Sequence, residues 1–269
     1  MSFDYEQSIW GKGTASLAWS SPTHFRLLKA LNTLAPLPSG AKVLEIGCGA
    51  GQFIRAIRQK RPELQCYGTD ISQEAIQKAE QYHDQVTYRR GEAERLPFDA
   101  GEFSAVLIFD VLEHVVSPEN FLAEVNRVLR PGGMVYAFVP CEGDALSLWH
   151  WLDMFHLKHN LTTKYAGHIH FFSRRELFRL YQQTGFSIKR VWYSEHILGQ
   201  LLGVIAFMLM DRAVGQQGGQ INNETYFAGA SSRTVLFLKK IINAAVALES
   251  HLLSPVPSPN VHVKLTKAI

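Results

Sequence analysis

The stretch Val43-Leu44-Glu45-Ile46-Gly47-Cys48-Gly49-Ala50-Gly51 constrains the fold more than any other part of the chain. An apolar strand runs through an acidic residue into a turn with glycine at every second position. Glycine tolerates φ > 0 and leaves the backbone bare, so a ligand can approach the main chain there. A helix over Gln52 to Lys60 follows, and its first amides, unpartnered within the helix, point back at the turn. Strand, glycine turn and helix in this order open an α/β sheet whose ligand sits at the carboxyl ends of the strands.

Two kinds of cofactor use such a turn. A dinucleotide site has the spacing G-x-G-x-x-G and sets a pyrophosphate on the helix N-terminus. Here the third glycine of that spacing would fall on Gln52, and the Glu45 carboxylate would repel a pyrophosphate. Glu45 suits a ligand that carries an ammonium group and no phosphate, as S-adenosylmethionine (SAM) does. Glu45-x-Gly47-x-Gly49-x-Gly51 resembles motif I of the class I SAM-dependent methyltransferases.

Later segments extend that resemblance. A second strand, Gln65 to Thr69, ends in Asp70, placed to accept both ribose hydroxyls, while Ser72 serves as the N-cap of the next helix. A third strand, Val86 to Arg90, enters Gly91-Glu92-Ala93-Glu94-Arg95-Leu96-Pro97-Phe98. The family has such a segment under the adenine, usually with Asp where this chain has Glu92. The fourth strand, Phe103 to Phe109, is a nearly unbroken apolar run, as expected of a parallel strand buried on both faces. It ends in Asp110-Val111-Leu112-Glu113-His114-Val115, the family's segment against the methionine end of SAM. A helix over 118–129, a tight turn at Arg130-Pro131-Gly132-Gly133 and a fifth strand over 134–140 complete the matched region, residues 42–140.

The resemblance implies a single Rossmann-like domain of seven strands in the order 3-2-1-4-5-7-6, the seventh antiparallel, with helical cap insertions. It implies SAM as cofactor and assigns its surface to Glu45, Gly47, Cys48, Gly49, Gly51, Asp70, Ile71, Glu92, Ala93, Phe109 and Asp110. The expected activity is methyl transfer to oxygen or carbon of a small, lipophilic acceptor. Two alternatives are a catalytically degenerate SAM-binding module and an NAD(P)-dependent oxidoreductase.

Outside 42–140 three segments decorate the domain. An N-terminal arm, 1–40, carries Tyr5, Trp10 and Trp19, which either close over the cofactor or staple the arm down. A long insertion over 141–172 reads as a lid. His114 and, in the lid, His168 are the candidate general bases, since imidazole titrates in the useful range. His114 serves equally well as an orienting group, and His170 reads as a packed neighbour of Phe171. His168-x-His170 alone is a weak metal signal, so no metal is expected. A helix over 174–184 and a sixth strand over 186–193 follow. Residues 196–255 form a second insertion ahead of a seventh strand over 260–267. Its apolar stretches, 197–210 and 234–253, flank a polar linker over 215–223 and suggest a helical hairpin. They bury one another and the sheet edge, or else line a lipophilic pocket or lie on a membrane surface with Arg212, Arg233, Lys239 and Lys240 toward the headgroups.

Net charge is +3 over 269 residues with no basic cluster, so nucleic acid is not implied. Cys48, Cys66 and Cys141 have no evident pairing, and the N-terminus carries Asp4 and Glu6 with no early apolar run. A reducing, cytoplasmic location is the expectation, with peripheral membrane contact through 197–253. Oligomeric state is left open.

Overall fold

In the computed structural model, residues 4–6, 9–11, 13–155, 161–217 and 233–268 are described. β1 (Lys42–Ile46) pairs in parallel with β2 (Gln65–Asp70) on one side and β4 (Phe103–Phe109) on the other. β3 (Thr87–Arg90) joins β2, and β5 (Leu129–Pro140) joins β4, both in parallel. β7 (Asn260–Lys267) runs antiparallel between β5 and β6 (Phe186–Ser194). The sheet order is therefore 3-2-1-4-5-7-6, as the resemblance implies.

Side-chain alternation builds a core on each face. Leu44, Ile46, Val106 and Ile108 meet α4 (Pro118–Val128) and α7 (Arg174–Gln183), through Phe121, Leu122, Val125, Leu177 and Tyr181. Val43, Ala105, Leu107 and Phe109 meet α1 (His24–Leu34), α2 (Gln52–Lys60) and α3 (Gln73–Glu80) on the opposite face. All seven residues of β4 are buried, which is why that strand reads as a nearly unbroken apolar run. Ser117 accepts the Asn120 amide at 3.3 Å and Pro118 occupies the first turn, so α4 starts where the sequence signals it.

The boundary between α4 and β5 differs from expectation. α4 stops at Val128, and Leu129 is already extended at the start of β5. Phe103 pairs with Leu129 and Ala105 with Met134, so Arg130 to Gly133 form a bulge inside the strand rather than a turn before it. Arg130 precedes a proline and is driven out of the helical region, while Gly132 takes φ +69°.

The 141–172 insertion, expected from its length to act as a lid, contains α5 (Leu148–Met154) and α6 (Leu161–Ala166). The second insertion contains α8 (Leu198–Gln217) and α9 (Arg233–Leu252). Of the anticipated linker, 215–217 belong to α8 and 218–223 lie outside the described residues. α8 leans on the lid: Trp149 meets Phe207 edge to face at 5.4 Å, and Tyr165 donates to Asp211. α9 lies on α1 and β6 and reaches the arm, where Asn243 donates to the Ser20 carbonyl. The two helices meet at the base of the pair. There the Glu249 carboxylate accepts the amides of His196, Ile197, Leu198 and Gly199 at 2.8–3.3 Å and caps α8. Farther out, Ile205 and Leu209 on α8 and Leu236, Phe237, Leu238, Ile241 and Ile242 on α9 are exposed. Val204 and Met210 of α8 and Ala247 of α9 are buried, so the two helices cover part of their apolar surface and leave those outer side chains exposed. No described helix is long and apolar enough to cross a membrane.

Candidate active site

Gly47, Gly49 and Gly51 have φ of +68°, +52° and +84°, so the alternate glycines of the turn all occupy the left-handed region. A Cβ on Gly47 would strike Val111, and one on Gly49 the Trp10 carbonyl. Glycine at the N-cap leaves α2 without a side-chain cap, and Glu45 supplies one from the strand: its Oε2 accepts the Ile54 amide at 2.7 Å. Burial raises its carboxyl well above the usual range. Glu45 thus already carries a structural bond, beyond the ligand contact its sequence position suggested.

The turn is tied to β2 by Asp70, which accepts the Gly49 amide at 2.7 Å and the Ser72 amide at 2.9 Å. Ser72 caps α3 by accepting from Ala75, which leaves Asp70 free of that task. The N-terminal arm lines the site and is stapled to it. Tyr5, Ile9, Trp10 and Gly11 line the cavity, and the Trp10 carbonyl accepts the Ala50 amide at 2.8 Å.

A single cavity of about 720 Å³ runs from the glycine turn to the lid. Its first half is lined by Glu45, Gly47, Cys48, Gly49, Asp70, Ile71, Glu92, Ala93, Phe109 and Asp110. Of the cofactor residues expected from sequence, Gly51 alone is not in this wall; it is the N-cap of α2 behind the turn. Phe109 is held flat against Phe53 at 4.0 Å. Leu96 and Phe98 are buried and anchor the loop that carries Glu92 and Ala93. Asp110 sits at φ +51°, and its Oδ2 takes a 2.5 Å hydrogen bond from Arg26 of α1. Arg26 in turn lies over the Phe138 ring, with Glu195 at 3.8 Å.

The second half of the cavity is lined by His114, Glu142, Trp149, Thr162, His168 and Phe207. His114 Nδ1 donates to the Gly167 carbonyl at 3.1 Å, leaving Nε2 with the lone pair. Burial lowers its pKa to about 3, with the neighbouring His168 adding to the effect. The His168 ring stands edge-on to it at 4.9 Å. Burial opposes charge on His168, but Glu142, Glu113 and Asp110 outweigh it and raise its pKa to about 9. Glu113 is fully buried, and burial lifts it to about 8. Its carbonyl accepts the amides of Ile169 and His170 at 3.0 and 3.1 Å, which fastens the lid to the loop after β4. His170 donates from Nε2 to the Val115 carbonyl and stacks on Phe172 rather than on Phe171.

Sequence reasoning missed Arg26, Glu113, Glu142 and Glu195. Arg26 reaches Asp110 across 84 positions, a separation with no local signature. Glu113 stood in plain view within the Asp110–Val115 segment, and its isolation among apolar neighbours was the available signal.

With this geometry in place, the comparisons are direct. The methyltransferase-domain family profile matches residues 23–191, more than half of the chain. The chain belongs to the methyltransferase-domain family, the class I SAM-dependent enzymes. It is 31% identical over 121 residues to a ubiquinone biosynthesis O-methyltransferase of Methylococcus capsulatus, covering 43% of this chain and 48% of that one. It is 32% identical over 106 residues to a norajmaline N-methyltransferase of Rauvolfia serpentina, covering 37% and 36%. The chain thus spans about a third to a half of the curated relatives it matches. Among solved structures, the cyclase SpnF shares the fold with a TM-score of 0.60 at 16% identity, over all of this chain and 86% of that one. Phosphoethanolamine N-methyltransferase 2 of Haemonchus contortus, solved with SAM, gives 0.54 at 19% identity, over 91% of this chain and 53% of that one.

Proposed function

We propose that this protein transfers a methyl group from SAM to oxygen or carbon of a small, lipophilic acceptor. The observation that carries the reading is the continuous cavity: bare backbone and acids at the strand ends in one half, imidazoles and aromatic rings in the other. Glu45, Gly47, Gly49 and Asp70 would hold the methionine and ribose parts of SAM, and Ile71, Glu92 and Ala93 the adenine. Phe109 and Asp110 would bound the methionine end, with Cys48 in the turn itself. The absence of a glycine at position 52 speaks against a dinucleotide.

Methyl transfer is an in-line displacement in which the sulfonium charge disappears as the new bond forms. A dry pocket favours that transition state, and alignment of the reactants supplies roughly 7–11 kcal/mol of the barrier reduction. Trp149 and Phe207 would exclude water on the acceptor side. His114 and His168 are the groups we assign to the acceptor's reacting atom.

The lipophilic character of the acceptor is supported by the ubiquinone-pathway relative and by the exposed apolar side chains of α8 and α9. Those side chains would lie on a membrane surface from which such an acceptor reaches the lid. Calorimetric titration with S-adenosylhomocysteine, with NADH in parallel, tests the cofactor. Saturable binding of the first alone is expected; binding of NADH instead would refute the reading. Labelled SAM with phenolic and quinol acceptors then separates an enzyme from a degenerate binding module.

A further inference from the structure

The loop after β4 and the lid segment before α7 bring Glu113, His114 and His168 together beside the cavity. One donor atom of each lies within 4.8 Å of the other two. Glu113 Oε1 is 3.8 Å from His114 Nε2 and 4.0 Å from His168 Nε2. Both carboxylate oxygens of Glu113 are buried and, among the described residues, have no hydrogen-bond partner. Such a group is ordinarily hydrogen-bonded, paired or bound to a metal.

The far side of each imidazole faces an acceptor. His114 Nδ1 donates to the Gly167 carbonyl, and His168 Nδ1 faces Glu142 Oε1 at 3.1 Å. Ligating histidines are oriented in this way, with a carbonyl or carboxylate on the nitrogen that does not ligate. The remaining nitrogens, both Nε2, turn toward Glu113. The two amides that bind the Glu113 carbonyl hold the lid residues next to His168 on the same loop, so the three donors come preassembled.

We propose that Glu113, His114 and His168 bind a divalent transition-metal ion of the zinc type, with an open coordination position facing the acceptor half of the cavity. Two imidazole nitrogens and one carboxylate oxygen are the donor set of a catalytic rather than a structural site. Donors at ~2.0–2.2 Å from a tetrahedral ion lie about 3.4 Å apart, so Glu113 needs to approach each imidazole by only about half an ångström, while the two imidazole nitrogens, within 4.8 Å of each other, close further. Mg²⁺ and Ca²⁺ prefer all-oxygen shells and fit this set poorly. His114 and His168 both line the cavity, which fixes where the open position points.

What the site does next rests on the methyl-transfer reading. A hydroxyl entering the open position is acidified by the ion and loses its proton to water. Its oxygen then attacks the methyl carbon. The C–O bond forms, the C–S bond breaks with its electron pair left on sulfur, and S-adenosylhomocysteine and a methyl ether leave. The acceptor class is therefore an oxygen acid, a phenol or enol.

The test uses the full chain, stripped with chelator, titrated with Co²⁺ and followed by visible absorption, with Mg²⁺ as control. One equivalent of Co²⁺ should bind with the intense bands of a low-coordinate ion, and Zn²⁺ should displace it. Glu113→Gln and His168→Ala should weaken binding by about a hundredfold or more, with folding read by circular dichroism. His168→Cys, which keeps a ligand, should bind Co²⁺ with a new thiolate charge-transfer band. A folded parent that binds neither Co²⁺ nor Zn²⁺, or binding unchanged in both weakening variants, overturns the site. S-adenosylhomocysteine titration of the same samples reads the methyltransferase assignment separately. Metal binding without it leaves the site standing and removes only the role given to the acceptor.

Discussion

His262 should make the fold acid-labile by a calculable amount. It sits fully buried on β7, between the Tyr136 hydroxyl at 2.7 Å and the Ser194 hydroxyl at 2.8 Å. Phe25 and Phe138 flank the ring, and the charges that reach it, Arg26 and Lys29, are positive. Burial first, then those cations, holds its pKa well below the ordinary 6.5. The unfolded chain binds the proton near pH 6.5 and the folded one does not, so stability is full above that pH and declines as pH falls toward the folded value. The loss approaches 1.36 kcal/mol per pH unit, which gives about 1.4 kcal/mol between pH 7.5 and 5.5. Buried carboxyls such as Glu45, raised by burial, act with the opposite sign, so total stability is not the readout. The informative quantity is the difference between parent and His262→Gln in urea unfolding at pH 7.5, 6.5 and 5.5. The variant is expected to be less stable at pH 7.5, and the gap should narrow by about 1.4 kcal/mol at pH 5.5. Parallel curves would show that His262 takes up its proton in the folded state, and the reasoning fails.

Three further outcomes can be measured directly. Asp70→Asn removes the charge from the bonds to Gly49 and Ser72 and from the proposed ribose contact; at ~1.5–3 kcal/mol for a charged hydrogen bond, S-adenosylhomocysteine affinity should fall by roughly ten- to a hundredfold, and unchanged affinity would sink the assignment. Phe121→Ala empties a fully buried site between α4 and the sheet and should lower unfolding free energy by about 3–5 kcal/mol in denaturant titration. Phe237→Asp with Ile241→Asp should abolish flotation with anionic vesicles while leaving S-adenosylhomocysteine binding intact; flotation that persists removes α9 from the membrane contact.

The fold was legible because its signals are local. β1 with its glycine turn, the acid closing β2 and the apolar run of β4 each declare a strand end in a few consecutive residues, while the order of the strands in the sheet came from the family resemblance those segments carry. The start of β5 was misplaced because Pro131-Gly132-Gly133 reads the same way in a turn and in a bulge, and only pairing with β4 separates them. The half of the cavity that we assign to the cofactor is lined by residues the sequence singled out, since they sit at strand ends. The acceptor half was not legible in this way. Glu142 and His168 meet across the lid, Arg26 and Asp110 across most of the domain, and no periodicity encodes such meetings. The apolar helices were readable as helices, but which surface each would cover depends on tertiary contacts: α8 chose the lid, α9 chose α1 and β6.

The four amides gathered by Glu249 couple two regions that otherwise share little. Gly199, Gln200, Gly203 and Phe207 of α8 form a wall of the cavity, and the start of that wall hangs on one carboxylate of α9. The position of that wall is therefore set from outside the cavity, by where α9 seats on α1 and β6.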